Sequence, residues 1–244
     1  MKICVIIPVY NHKDAIKRVV ERLKPLNLPL ILVNDGSSEP CSGVLQQIAR
    51  QQSDWVTLHE RKCNGGKGAA VTDGMLLAIK NGYSHAIQVD ADGQHNIEDI
   101  TRFVEASKQY PERMILGQPK FDDSVPKKRL YGRKITNLWI WINTLSFAIA
   151  DGMCGFRCYP LAAIDKLLSS VTLGQGMDFD IDIVVRLYWQ GVNTVNLLTK
   201  VQYPTDGVSH FKMWQDNLLI SKIHTVLFFG MLLRFPKLLV RSRP

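Results

Sequence analysis

The sequence of 244 residues lacks the features that mark several specialised classes of protein. Its five cysteines are an odd number without a CxxC pair, which is typical of a reduced, cytosolic protein without structural zinc. It has no run of about 18 apolar residues and no cleavage site after its short N-terminal apolar run, so neither a membrane-spanning helix nor a signal peptide is expected. Internal repeats and low-complexity tracts are absent. With 46% hydrophobic and 21% charged residues, the composition is typical of a folded globular domain.

Positive charge is in excess, with 30 Lys and Arg against 22 Asp and Glu and a formal net charge of +8. The excess lies in two segments, because 120–134 holds six basic and two acidic residues and 200–243 holds seven and two. Basic segments of this kind favour a phosphorylated ligand or an anionic membrane surface. A nucleic acid is not among the expected partners.

Strand and helix patterns alternate through the first half of the chain. Apolar, β-branched runs predict buried strands over 3–9, 29–34, 55–59, 85–89 and 113–116. Amphipathic segments predict helices over 13–23, 41–52, 68–80 and 97–109. This order predicts an α/β fold with a mostly parallel central sheet flanked by helices on both faces. Ligands of such sheets bind at the carboxyl ends of the strands.

The second half is less regular. It predicts helices over 130–150, 160–168, 179–189 and 211–233, a strand over 192–197 and a glycine-containing turn over 151–157. The last helix is apolar between Lys222 and Arg234, so we expect it to lie in a membrane interface. Packing of this helix on the domain, or a dimer contact, is the alternative.

Acidic residues follow the fourth predicted strand. Asp90 and Asp92 stand two residues apart at its end, where two carboxylates can bind one hard divalent cation, Mg²⁺ or Mn²⁺. Gln94 or His95 would add a ligand. An Asp-rich turn without a metal is the alternative. An EF-hand is excluded because its twelfth position is Thr101 instead of glutamate.

Small and polar residues follow the second and third predicted strands. The segment GGKGAA at 65–70 opens a helix, where backbone N–H groups can approach a phosphate, with a flexible glycine turn as the alternative. It is not a P-loop because Gly68 follows Lys67. Asp35 could accept a base N–H of a nucleotide, or its segment 34–38 could be an Asx-turn with a helix cap. A dinucleotide cofactor is disfavoured because no GxGxxG follows the first strand.

Two further groups of charged residues lie in the second half. Arg129 and Arg133 are four residues apart near the start of the long helix, which suits either a phosphate clamp or a solvated basic face. Asp178, Asp180 and Asp182 recur at every second residue. One of them could serve as a general base, whereas helix capping by Asp178 is the alternative.

Together these motifs resemble family 2 glycosyltransferases of the GT-A fold, especially the dolichyl- and polyprenyl-phosphate sugar synthases. The matching segments are VIIPVYN at 5–11, VNDGSS at 33–38, GGKGAAVTDG at 65–74, VDADGQH at 89–95 and DGMCGFR at 151–157. The resemblance covers about residues 2–205. This chain departs from the synthases in having Cys154 where serine is usual, and in lacking their arginine near Lys120.

The resemblance implies roles for individual residues. The nucleotide-sugar pocket would be formed by Pro8, Tyr10, Asn11, Asp35, Gly66, Lys67, Asp90, Ala91 and Asp92. The metal would be bound by Asp90, Asp92 and Gln94, and the acceptor phosphate by Lys120, Arg129 and Arg133. An acceptor hydroxyl would need a base, whereas a phosphate oxyanion would not. The candidate catalytic residues are Asp92, Asp151, Asp178 and Asp180.

The implied function is a metal-dependent, inverting glycosyltransferase that moves a sugar from a UDP- or GDP-linked donor to a membrane lipid. Polyprenyl phosphate is the expected acceptor, and a hydroxyl of another lipid or polyene is the alternative. We expect a catalytic domain over 1–205, with a nucleotide-sugar half at 1–118 and an acceptor half at 119–205, and an amphipathic segment over 206–244. The expected location is the cytoplasmic face of the membrane, and a homo-oligomer remains open.

Two alternatives belong to other classes. A sugar-phosphate nucleotidyltransferase would also use Mg²⁺ and a nucleotide-binding α/β sheet, but it needs a glycine- and arginine-rich loop after the first strand, where this chain has Tyr10-Asn11-His12. A non-catalytic module could instead bind lipid phosphate through the basic segments. The acidic pair and the glycine loop argue against that module.

Overall fold

The computed structural model describes residues 1–121, 125, 127–201 and 211–241, without the side chains of 127–129. The strands of this part are β1 (Ile3–Val9), β2 (Leu30–Asn34), β3 (Val56–Glu60), β4 (His85–Gln88), β5 (Met114–Lys120), β6 (Arg157–Pro160) and β7 (Thr194–Lys200). The helices are α1 (Lys13–Leu23), α2 (Cys41–Gln51), α3 (Lys67–Lys80), α4 (Ile100–Gln109), α5 (Lys127–Thr144), α6 (Leu161–Leu168), α7 (Phe179–Trp189) and α8 (Met213–Arg241).

The seven strands form one sheet in the order β3-β2-β1-β4-β6-β5-β7. β1 pairs in parallel with β2 and β4, β2 with β3, and β5 with β7. β6 runs antiparallel between β4 and β5. The predicted α/β fold with a mostly parallel central sheet is therefore confirmed.

Strand β1 shows why its apolar run is unbroken. Cys4 and Ile6 pack in one core with residues of α3, α6 and α7, whereas Ile3, Val5 and Ile7 pack in a second core with residues of α1, α2 and α4. Because successive side chains of a strand point to opposite faces, a strand covered by helices on both sides needs apolar residues at every position.

Strand β6 was not predicted, because the sequence indicated a turn over 151–157 and a helix from 160. The strand begins at Arg157, whose side chain is fully buried. Its guanidinium donates hydrogen bonds to the backbone carbonyls of Gly152 at 2.8 Å, Cys154 at 2.6 Å and Asp180 at 2.6 Å. An arginine counts as polar in a sequence pattern even where backbone carbonyls bind its buried guanidinium. The pattern therefore did not predict this strand of four residues.

Two helix boundaries also differ from the predictions. The helix predicted over 130–150 ends at Thr144, because Leu145 adopts a left-handed conformation with φ of 49°. The last helix continues to Arg241 with Pro236 inside it, eight residues beyond the predicted end at 233.

Helix α8 packs on the domain with one face and exposes the other. Ile223, Leu227 and Met231 are buried against the core, whereas Trp214 is 89% exposed and Leu233 is 85% exposed. By length and composition α8 could cross a membrane, with a mean hydropathy of 1.6 over an 18-residue window of which 28% is buried. The sequence analysis expected no membrane-spanning helix, because charged residues interrupt the apolar run of α8 without greatly lowering its mean hydropathy. The packing on the domain that was the alternative is present, and the exposed face remains available to a membrane interface.

Candidate active site

A cavity of about 910 Å³ lies at the carboxyl ends of β1, β2 and β4. All nine residues predicted for the nucleotide-sugar pocket line it, namely Pro8, Tyr10, Asn11, Asp35, Gly66, Lys67, Asp90, Ala91 and Asp92. Gln94 and Asp180 line it as well. The structure therefore brings together residues from four strand-end loops, because parallel strands end at the same edge of the sheet.

Asp35, at the end of β2, holds the glycine loop in place. Its two carboxylate oxygens accept the backbone N–H groups of Gly65 and Gly66, both at 2.9 Å, and Arg61 forms an ion pair with it. Gly66 has a φ of +95°, and a Cβ at this position would lie 2.5 Å from the carbonyl oxygen of Gln175. Glycine is therefore required where α3 begins, and Asp35 fixes the loop beside the cavity.

The loops after β1 and β2 are tied to each other. Asn11 has a left-handed backbone conformation, and its Oδ1 accepts hydrogen bonds from the backbone N–H of Ser38 at 2.9 Å and from its hydroxyl at 3.1 Å. Asn34 Oδ1 accepts the Ser37 N–H at 2.9 Å, three residues on, a bond one residue longer than that of an Asx-turn. The helix cap suggested for this segment is not formed, because Pro40 occupies the N-cap position of α2.

Lys67 lies between two carboxylates at the centre of the cavity. Its Nζ is 2.7 Å from Asp90 Oδ1 and 2.7 Å from Asp180 Oδ2. Burial opposes the charge of the ammonium, but the two carboxylates outweigh burial and hold the pKa of Lys67 above its ordinary value. Asp180 also accepts a hydrogen bond from Gln88 Nε2 at 3.0 Å. This cluster joins β4 and the starts of α3 and α7.

Asp90 and Asp92 differ in their electrostatic surroundings. Burial alone would raise the pKa of Asp90, but Lys67 and His95, whose Nε2 lies 3.3 Å from Asp90 Oδ2, hold it well below the usual range. Burial and then the charge of Asp90 raise the pKa of Asp92. Asp92 Oδ1 accepts the backbone N–H of Gln94 at 3.0 Å. Among the described residues, Asp92 therefore has no ion-pair partner comparable to the Lys67 ammonium beside Asp90.

The site suits a divalent cation only in part. In the described ranges, no three Asp, Glu, His or Cys side chains come together as a metal cage. Asp90 Oδ1 is nevertheless buried without a well-directed hydrogen bond, although the Lys67 ammonium lies 2.7 Å away. Two carboxylates beside an open cavity fit a cation that takes its other ligands from a diphosphate and from water. The residues present thus fit the expected metal in that form.

Two of the candidate bases lie elsewhere. Asp151 is buried, accepts the N–H groups of Met153 at 2.9 Å and Cys154 at 2.8 Å, and pairs with Arg133, whose Nη2 is 3.0 Å from its Oδ1. Asp178 accepts the Gly176 N–H at 3.0 Å and makes no side-chain cap on α7, so the capping alternative is wrong. Neither carboxylate is among the described residues that line the cavity.

The residues predicted for the acceptor phosphate are not part of the described cavity wall. Lys120 is exposed at the end of β5, and Arg133 is paired with Asp151. The side chain of Arg129 lies outside the described residues. Their roles stay predictions.

The sequence analysis missed one wall of the cavity. Apolar side chains of Met153, Met177, Phe211, Leu219 and Ile220 line it, together with Lys212, Gln215 and Asp216. Most of this wall comes from the start of α8 and the residues just before it. The one feature of the sequence that could have indicated this wall is Asp216, an acidic residue in an apolar helix. Asp216 is buried and accepts the Lys212 backbone N–H at 2.6 Å.

Comparisons with known proteins agree with this geometry. Residues 4–166 match the model of the family Glycosyl transferase family 2. The chain is 27% identical over 198 residues to polyprenol monophosphomannose synthase of Mycolicibacterium smegmatis, covering 79% of this chain and 74% of that protein. It is also 27% identical over 186 residues to UDP-N-acetylglucosamine–dolichyl-phosphate N-acetylglucosaminyltransferase of Methanococcus voltae, covering 68% and 72%.

A solved structure shares the fold. The mannosyltransferase PcManGT from Pyrobaculum calidifontis, in complex with GDP-Man and Mn²⁺, superposes with a TM-score of 0.63 at 13% identity, covering 96% of this chain and 64% of that one. The expected GT-A fold is confirmed. The family model covers more than half of the chain. It therefore favours a glycosyltransferase over the two alternatives, a sugar-phosphate nucleotidyltransferase and a non-catalytic module. This chain belongs to glycosyltransferase family 2 and is a glycosyltransferase.

Proposed function

We propose that this chain transfers a sugar, with inversion, from a nucleoside-diphosphate sugar to the phosphate of a polyprenyl lipid at the cytoplasmic face of a membrane. The observation that carries the donor half is the convergence of all nine predicted nucleotide-sugar residues on one cavity of about 910 Å³. The two relatives act, by name, on polyprenol and dolichyl phosphates, which supports a lipid phosphate as acceptor.

The donor binds where the glycine loop opens α3. Asp35 accepts the N–H groups of Gly65 and Gly66 and so keeps the loop in position, and the positive end of the α3 dipole, with the Lys67 ammonium, favours the negative charge of a diphosphate. Asp90 and Asp92, with Gln94 beside them, would hold Mg²⁺ or Mn²⁺. The bound ion supplies positive charge that stabilises the leaving nucleoside diphosphate. Lys67 adds its ammonium beside Asp90.

The acceptor enters along the apolar wall to which α8 contributes. Leu219 and Ile220 belong to α8, whose outer face exposes Phe229 and Leu233, and the neighbouring α5 exposes Ile135. An apolar helix face of this kind lies in a membrane interface, where basic residues meet anionic lipid head groups. The lipid chain can then remain in the membrane while its phosphate reaches the cavity. Arg133 could bind that phosphate after leaving Asp151, and Lys120 supplies a second cation nearby in sequence.

The first experiment measures donor binding. We titrate the purified protein calorimetrically with UDP, GDP and CMP, with and without Mn²⁺, beside an Asp92→Ala variant. We expect Mn²⁺-dependent binding of one nucleoside diphosphate, which the variant loses because one of its two metal carboxylates is gone. A folded protein that binds none of these nucleotides would contradict the proposal.

A hydroxyl acceptor is a second candidate, and the position of Asp180 favours it. Of the candidate bases Asp151, Asp178 and Asp180, the last is the one that lines the cavity. Its carboxylate is held by Gln88 and by the Lys67 ammonium. A carboxylate at this place can take the proton of an attacking hydroxyl, which a phosphate acceptor does not require.

A matched pair of acceptors separates the two candidates. We offer the wild-type protein and an Asp180→Asn variant the same labelled nucleotide sugar with polyprenyl phosphate and with the corresponding polyprenol. Transfer to the phosphate that survives the substitution within about threefold identifies the lipid phosphate. Transfer to the alcohol that falls by about 10²-fold or more in the variant identifies a hydroxyl acceptor and Asp180 as its base.

A further inference from the structure

Lys67 occupies a position between the metal-site carboxylate Asp90 and Asp180. Both N–O distances are 2.7 Å, and only 15% of the Lys67 side chain is exposed. The two partners come from distant parts of the sequence, one from the end of β4 and one from the first turn of α7. In the described structure, this lysine is the cation that contacts both carboxylates, and Arg157, whose Nη1 is 3.8 Å from Asp180 Oδ1, adds positive charge on the far side of Asp180.

The surroundings leave the ammonium little freedom except toward the cavity. A Cβ on Gly155 would lie 2.6 Å from Lys67 Nζ and 2.5 Å from Asp90 Oδ2, so the backbone at Gly155 closes one side of the pair. Gln88 binds the other oxygen of Asp180. Lys67 itself lines the cavity. A negatively charged ligand in the cavity is therefore the partner toward which this ammonium can turn.

A divalent cation and the ammonium compete for the same carboxylate. Asp90 Oδ1 already contacts the Lys67 ammonium, which leaves Asp92 as the other carboxylate for a metal. One carboxylate binds a hard cation poorly, because such a cation prefers several oxygen ligands. Two positive groups within a few ångströms of each other in a partly buried site repel each other strongly. A nucleoside diphosphate removes the conflict, because its oxygens can receive the ammonium and supply the missing metal ligands.

We propose that Lys67 is the internal counter-ion of the metal-site carboxylates and makes the binding of a divalent cation depend on the nucleoside diphosphate. The inference rests on the proposed function, since it assumes a metal and a diphosphate at this site. Lys67 is a positioning residue in this scheme. It prevents the metal from occupying the site without a donor.

The test measures Mn²⁺ binding directly, by calorimetry and by the Mn²⁺ EPR signal, without any transfer reaction. We expect wild-type protein to bind Mn²⁺ at least about tenfold more weakly alone than with the preferred nucleoside diphosphate. Lys67→Met should bind Mn²⁺ alone at least about tenfold more tightly than wild type, because Asp90 loses its competing cation. Lys62→Met is the matched control, since Lys62 is an exposed lysine five residues earlier, and it should behave as wild type.

Further variants keep the proposal testable if Lys67→Met does not fold. Lys67→Gln removes the charge while keeping a hydrogen-bond donor for the two carboxylates, and it should show the same gain in Mn²⁺ affinity. Lys67→Arg keeps the charge and should therefore show no gain in Mn²⁺ affinity. A Lys67→Met/Asp180→Asn double variant that keeps the gain would show that the gain arises at Asp90 and not from metal binding by Asp180.

The outcomes separate the inference from the proposed function. Wild-type protein that binds Mn²⁺ equally well with and without nucleotide, or uncharged variants that show no gain, would overturn the inference and leave a metal-dependent transferase intact. Wild-type protein that binds nucleotide without any Mn²⁺ dependence would overturn the metal in the proposed function and the inference with it.

Discussion

Gly155→Ala tests whether the spacing of the central ion cluster is set by backbone that closely approaches it. A Cβ at this position would lie 2.5 and 2.6 Å from the two carboxylate oxygens of Asp90 and 2.6 Å from Lys67 Nζ. Ordinary contacts begin at 3.4 Å, so the methyl group would be about 0.9 Å too close to the nearest oxygen. Neither charged group can swing away without losing its partner, so Asp90 and the loop at 151–156 must move apart.

We expect Gly155→Ala to lower the free energy of unfolding by about 2 kcal/mol, which is typical of overpacking. For a chain of this length that is a fall in Tm of about 4–8 °C. Mn²⁺-dependent nucleotide binding, measured by calorimetry, should weaken by about tenfold or more because the metal carboxylate is displaced. Gly132→Ala is the control, since a Cβ there meets nothing within 4 Å in helix α5, and it should stabilise the protein by about 0.5–1 kcal/mol. A Gly155→Ala variant with wild-type Tm and wild-type nucleotide affinity would refute this reasoning.

Three other predictions address the remaining carboxylates and α8. Asp151→Asn should cost about 3 kcal/mol in urea denaturation, because it breaks a buried ion pair. Asp92→Asn should stabilise the metal-free protein at pH 7–8. Because the pKa of Asp92 is raised in the folded protein, ionised Asp92 costs stability above that pKa, and the gain in thermal denaturation should shrink as pH falls toward it. Asp54→Asn, at an exposed position, is the control and should show no gain. Leu233→Glu, at a position 85% exposed, should weaken binding to anionic vesicles, measured by sedimentation, by at least about tenfold. Leu76→Glu on α3 is the control and should not weaken it. Equal binding by both variants would contradict a membrane role for α8.

The buried Arg157 explains how a transferase of this fold positions Asp180. Burial alone would lower the pKa of the guanidinium, but Tyr159 and Asp180 raise it, so the group stays charged. It donates to the carbonyl of Asp180 at 2.6 Å and to Tyr159 Oη at 3.1 Å. The start of α7 is thereby anchored to β6, which places the Asp180 carboxylate beside the cavity.

The strand-end half of the cavity, which we propose binds the donor, was predictable from the sequence because its geometry follows from local patterns. Each apolar strand predicts where its loop begins, and parallel strands end at the same edge, so Asp35, Lys67 and Asp90 had to come together once the strands were recognised. The fold class followed from the same alternation. The continuous apolar run of β1 predicted burial on both faces, and the two cores confirm it.

The tertiary structure alone decided which acidic residues face the cavity and what they contact. Asp151, Asp178 and Asp180 were equal candidates in sequence, and long-range packing separated them: Lys67 and Asp180 are 113 residues apart in the chain. Strand β6 was hidden because its buried arginine is satisfied by carbonyls from outside the strand. The apolar wall from α8 was hidden because a helix pattern shows that one face is apolar but not which surface it will cover. The sequence by itself therefore determined the fold and the residues of the proposed donor site, whereas contacts between distant segments determined the ion cluster and the apolar wall of the cavity.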